Sequence, residues 1–120
     1  MASEVLKVAH QVVTNSEMVL INGVSGHTYT VLSITFCETA GAAETFDLFI
    51  QDDGGATDYE IYSDQALGAN ETFEHTGRIV ILDTDHLCFA ASSGNMDVVV
   101  SYLDQTRKEK IYEWNCRQSP

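Results

Sequence analysis

The stretch Thr28-Tyr29-Thr30-Val31-Leu32-Ser33-Ile34-Thr35-Phe36-Cys37 decides the fold class. Its β-branched and aromatic residues alternate with small polar ones, a period of two that belongs to a half-buried strand. Tyr29, Val31, Ser33, Thr35 and Cys37 are expected on one face, and Thr30, Leu32, Ile34 and Phe36 on the other. After the small-residue turn Ala40 to Ala43 the same period returns: Phe46, Leu48 and Ile50 point one way, and Thr45, Asp47, Phe49 and Gln51 the other.

Further strands are expected at Tyr59 to Tyr62, Arg78 to Leu82, His86 to Ala90 and Met96 to Leu103. Polar turns separate them: Asp52 to Asp58 with Gly54-Gly55, Asp83-Thr84-Asp85, and Ser92-Ser93-Gly94-Asn95. Ser63 to Gly77 reads as the longest non-apolar connection, with Phe73 as a pin to the core. On the N-terminal side, Val5, Leu6, Val8, Val12 and Val13 suit either a strand or an arm, Glu17 to Ile21 is a short apolar run, and Asn22-Gly23 is a turn signal. Short strands at this spacing, with no β-α-β rhythm, mean a sandwich or small barrel. The expected fold is all-β, an antiparallel β-sandwich of jelly-roll type with terminal extensions. Residues 1–27 form an arm or the first strands, 28–105 the sandwich, and 106–120 a basic aromatic arm.

A length of 120 residues suits one domain, and the formal net charge of −12 opposes binding to free nucleic acid or anionic lipid. No apolar run is long enough for a membrane span, and Met1-Ala2-Ser3-Glu4 does not open a secretory signal. Charge is unevenly placed. Between Val8 and Thr106 the only basic residue is Arg78, against fifteen Asp and Glu, while four of the six basic residues fall in the last fourteen positions. Such asymmetry marks an interaction tail. Within it, Arg107, Lys108, Lys110, Ile111, Tyr112, Trp114 and Arg117 are the candidate partner-binding residues, because Trp, Tyr and Arg are the types enriched at interface hot spots. A tail folded back on its own acidic domain, or a disordered one, is the alternative.

Chemistry is otherwise sparse. Cys37, Cys88 and Cys116 are odd in number and lack metal spacing, which fits a reducing cytoplasm. His10, His27, His75 and His86 are scattered, and Asp52, Asp53 and Asp58 do not match a calcium loop. No nucleophile elbow or phosphate loop occurs. No catalytic residue, metal or cofactor is assigned, and an enzyme is not expected. Tyr59 and Tyr62 flank a short strand, where a pair of exposed aromatics is a thin basis for sugar binding.

Three segments together resemble a family. They are Thr28 to Ile50, then Leu67-Gly-Ala-Asn-Glu-Thr-Phe-Glu74 with Ile79 to Leu87, then Ala91 to Leu103. Their order is similar to that of small β-sandwich virion proteins of tailed bacteriophages, with an I-x-L-x-x-G-D hairpin and a G-x-V-D-V-x-V-S strand. Thr84 stands where that hairpin has Gly. The resemblance implies a virion structural protein assembled in the bacterial host cytoplasm, without catalytic residues. Within the family, a capsid decoration (cement) protein that bridges neighbouring capsomers is expected, with a neck or tail accessory protein as the alternative. The expected partners are the chain itself, as a homotrimer, and the major capsid protein. From a different class, a carbohydrate-binding module for host attachment is the rival reading.

Overall fold

The computed structural model describes residues 3–13, 17–53, 57–93 and 95–107. Among them are nine strands: β1 (Ser3–Val13), β2 (Met18–Asn22), β3 (His27–Glu38), β4 (Glu44–Gln51), β5 (Asp58–Leu67), β6 (Thr72–His75), β7 (Ile79–Leu82), β8 (His86–Ala91) and β9 (Met96–Thr106). One sheet runs β1-β9-β3, with β6 and β7 both beside β3; the other runs β2-β8-β4-β5. Every pairing is antiparallel.

β6 lies along Ile34–Cys37 and β7 along Thr28–Val31, so together they form one interrupted edge strand. Counted so, the chain is a long hairpin folded over on itself. Its first strand pairs with its last, the second with the last but one, and so inward to β4 and β5. This wrapping is the jelly roll, two sheets of four strands closed around a core.

The core is built by the alternation that the sequence shows. Val31, Ile34 and Phe36 of β3 and Met96, Val98 and Val100 of β9 meet Phe46 and Leu48 of β4 and Leu87 and Phe89 of β8. Phe36 stacks on Phe46 with ring centroids 4.4 Å apart and on Phe89 at 5.2 Å. Such aromatic pairs contribute about 0.5–1.5 kcal/mol beyond their buried area.

Strict alternation fails at one point in β3. Val31 and Ile34 are both fully buried although they are three positions apart, an odd spacing. A β-bulge at Leu32, where Val31 pairs with Tyr102 and Ser33 with Ser101, resets the phase. The expected face of Tyr29 and Val31 therefore continues into Ile34 and Phe36. β2 uses the same device between Val19 and Ile21, which buries Leu20 and Ile21 together.

The long connection expected from Ser63 to Gly77 is corrected. Its first part completes β5 and Thr72–His75 is β6, so only Gly68 to Glu71 links the two. Edge strands carry polar residues outward, which hides them from an apolar-period reading. Phe73 packs against the core, as expected. The turn before β8 also forms without the missing glycine: Asp85 N donates to Leu82 O at 3.1 Å, and Asp83 takes the positive φ of 53°.

Candidate assembly face

Residues paired across neighbouring strands share a face of the sheet. On β1, Leu6 pairs with Leu103, Val8 with Ser101 and His10 with Val99. Across β9, Leu103 continues to Thr30 of β3, and Thr30 to Val80 of β7. None of these side chains belongs to the buried cluster. They form the outer face of the first sheet, and it is apolar. Leu6 is 71% exposed, Val8 58% and Val80 52%, with Leu82 and Val99 also exposed. The remaining positions are small and neutral: Thr30, Ser33, Thr35 and Ser101. Among the described residues, charge enters at the groove on the β1 edge through Lys7, and otherwise toward the rims, at Glu4 beside Gln105 and at Asp97 and Glu74 beside Cys37 and Thr35.

A shallow groove of about 300 Å³ crosses this face, lined by Leu6, Lys7, Val8, Leu32 and Ser101. Leu32 is the bulge residue, so the irregularity that corrects the core also shapes the groove. β1 is a sheet edge eleven residues long. A long apolar edge beside an apolar face is a surface that proteins cover in an assembly or blunt with charge. The period of two belongs to a half-buried strand, yet the outer face of this sheet is not polar. The sequence signal lay in apolar runs that do not alternate, Ile79-Val80-Ile81-Leu82 and Val98-Val99-Val100, which mean apolar residues on both sides of the sheet.

The outer face of the second sheet has the opposite character. Asp58 pairs with Gln51 and Glu60 with Phe49, and Asp64 N donates to Asp47 Oδ1 at 2.6 Å. The Glu60 carboxyl is held above its ordinary pKa, first by burial and then by the charges of Asp47, Asp58 and Asp64. Phe49 and Cys88 pair across strands here and are buried. Burial, followed by the charges of Glu17 and Asp58, pushes the Cys88 thiol up to about 11. It stays a thiol at neutral pH and acts as a small hydrophobe. Among the described residues no group of three or more His, Cys, Asp or Glu is placed to hold a metal ion.

The end of the sandwich where β9 finishes is tied by ion pairs. Asp104 lies 2.8 Å from Lys7 Nζ and 2.7 Å from His27 Nδ1. Burial acts to raise the Asp104 carboxyl, but the hydrogen bonds and charges of Lys7 and His27 prevail and hold it low. Arg107, the first of the sequence-predicted partner residues, donates to Asp83 Oδ1, to His27 O at 2.8 Å and to Thr28 Oγ1 at 3.0 Å. Its guanidinium is engaged within its own domain. Lys108, Lys110, Ile111, Tyr112, Trp114 and Arg117 lie outside the described residues.

The tyrosine pair separates. Tyr59 is 56% exposed, but Tyr62 packs edge-on against Phe73, its ring centroid 5.2 Å away, and its hydroxyl lies 2.6 Å from His75 Nδ1. The two do not make a flat aromatic platform. In the loop considered for calcium, Asp52 Oδ1 accepts from Thr57 N at 2.9 Å, and Asp58 Oδ1 accepts from Gln51 Nε2 at 3.1 Å.

No protein-family model matches the chain, and no curated protein is similar to it in sequence. Its fold, however, is found in solved assemblies. A chain of the Bacillus endospore appendages, described as disulfide-linked pili, matches with a TM-score of 0.55 at 8% identity, over 90% of this chain and 89% of that one. A chain of the acid-stable capsid of the Helicobacter pylori bacteriophage KHP30 matches with a TM-score of 0.50 at 14% identity, over 95% of this chain and 100% of that one. At these identities the likeness is one of fold.

Proposed function

We propose that this protein is a virion structural protein, and within that class a capsid decoration protein that stabilises a phage shell by bridging neighbouring capsomers. The observation that carries the reading is the apolar outer face of the β1-β9-β3-β7 sheet on a chain of net charge −12. A lone domain gains nothing from exposing Leu6, Val8 and Val80 together, whereas an assembly buries them and gains on the order of 25 cal/mol per Å² covered. The occurrence of this fold in a phage capsid and in a pilus agrees with an assembly role. In this reading the acidic outer face of the other sheet looks away from the contact and keeps the free subunit soluble. The assembly form is a homotrimer, its shell partner is the major capsid protein, and the protein performs no catalysis and takes no cofactor. Packing of Tyr62 into the core speaks against the carbohydrate-binding reading.

The test is to locate the protein on purified virions with a gold-labelled antibody, and to compare the heat stability of shells with and without it. Label over the shell, and shells that rupture at lower temperature when the protein is absent, are expected. Label confined to the neck or tail would replace the decoration role with the accessory one, and absence of label from virions would remove the structural reading.

A further inference from the structure

We infer that the apolar face is the receptor for the C-terminal arm, residues 108–120, of a second copy of this chain. The inference deepens the assembly reading above and rests on it.

Three observations choose this occupant. First, the exit of the arm is directional. β9 pairs with β1 and β3 as far as Thr106, and Arg107 N then donates to Gly26 O at 2.7 Å, which carries the extended chain past the end of the sheet. The Arg107 side chain clamps that direction through Asp83, His27 and Thr28. To cover its own face the chain would have to reverse immediately. Yet Lys108-Glu109-Lys110-Ile111-Tyr112-Glu113-Trp114 holds none of Gly, Pro, Asn, Asp or Ser, the residues that make tight reversals.

Second, the arm is long enough. Thirteen residues at about 3.3 Å each reach about 43 Å, more than the roughly 36 Å of an eleven-residue strand such as β9. Third, charge and side-chain pattern are complementary. The arm carries three basic and two acidic residues, whereas residues 1–107 carry three basic and sixteen acidic. In an extended arm Lys108, Lys110, Tyr112 and Trp114 share one side. That side offers two aromatic rings to an apolar centre and cations to a rim holding Glu4, Asp97 and Glu74. The groove of Leu6, Val8 and Leu32, with Lys7 beside them, is the site for a ring, whose face a cation can also approach.

Trp114 is the sole tryptophan, so its fluorescence in the full-length protein reports the arm directly. On raising the protein concentration, its emission should shift to the blue with the same midpoint at which sedimentation shows the oligomer. Leu6→Glu and, separately, Val80→Glu should each move that midpoint about tenfold or more upward. Both side chains are exposed, so circular dichroism should show a folded sandwich in each. A blue emission in a chain that sediments as a monomer would mean docking on its own domain and overturn the inference. So would a red emission at every concentration, or a midpoint that neither substitution moves. Virion labelling away from the shell, with the fluorescence transition intact, would revise the location and leave the arm standing. An exposed tryptophan in a protein that labels the shell would remove the arm alone.

Discussion

Lys7 Nζ lies 2.8 Å from Asp104 Oδ2, so that the first strand of the chain is pinned to the last, 97 residues away. The two ends of this pair differ. Asp104 is buried and also bound by His27, whereas Lys7 is nearly half exposed. Asp104→Ala should therefore cost about 2–3 kcal/mol, because it leaves both His27 and Lys7 without their shared buried partner. Lys7→Ala should cost no more than about 1 kcal/mol, since the loss is of one partly exposed ion pair. Urea unfolding of the two variants at neutral pH checks the order.

Glu38 supplies a pH dependence. Its carboxylate sits at the end of β3 and accepts hydrogen bonds from the backbone N–H groups of Asn70 at 2.9 Å, Ala40 at 2.9 Å, Gly41 at 2.8 Å and Ala42 at 3.2 Å. The Asn70 bond leads, and with the other three outweighs burial, so the carboxyl is held below the ordinary range. A lowered folded pKa means stability present above the unfolded value and lost as pH falls through the folded one. Glu38→Gln should lower the melting temperature at pH 7, and the gap from the parent should close in strong acid. Melting curves from pH 7 to pH 2 test this, and a gap that stays constant would show that the charge is immaterial.

On the acidic face the sign is reversed. Glu60 is held above its ordinary pKa by burial and by Asp47, Asp58 and Asp64, so its contribution is favourable below the unfolded value and is lost as pH rises. Glu60→Gln should stabilise the protein at pH 7, by no more than about 0.5 kcal/mol because its carboxyl is only slightly shielded and water screens most of the side chain. Added salt should shrink the gain. A melting temperature that falls on substitution would contradict the like-charge argument.

Gly23 is a steric test of the jelly-roll corner. Its N–H donates to Asp85 O at 3.1 Å and faces His86 Nδ1 at 3.2 Å, where β2 ends beside β8. A Cβ at this position would fall onto the carbonyl oxygens of Asp83 and Asp85, which are backbone and cannot swing aside. Gly23→Ala should destabilise by about 3 kcal/mol. Gly41→Ala, with only the Asn70 side chain near a Cβ, meets no such clash; its cost is the strain of a φ of 80°. A denaturation series on the two variants separates clash from strain.

Much of the sandwich was legible in the chain because a sheet with one buried side writes a period of two into its sequence. Phe46, Leu48 and Ile50 are expected on one face, and all three pack into or against the core. The turns at Asp83-Thr84-Asp85 and after Ala91 were readable from their polar residues. Beyond these, the limits have separate physical causes. Gln65, Glu71 and Glu74 belong to edge segments whose backbone pairing, not side-chain burial, makes them strand or turn, so β6 and half of β5 read as loop. Leu32 looked like one more alternating residue, since a bulge depends on how two strands register and leaves no local mark.

The amino-acid sequence by itself determined the all-β class, the main strands, the acidic body and the change to a basic, aromatic end, because these are properties of local pattern and composition. Tertiary structure alone decided which apolar residues remain outside. Val99 and Val100 are adjacent and chemically identical, yet Val100 is fully buried and Val99 is 41% exposed. Only the pairing of β9 between β1 and β3 sets Leu6, Leu103 and Val80 on one surface, from residues far apart in the chain. An apolar face of this kind is a sum over strands, and no single strand carries enough of it to be read alone.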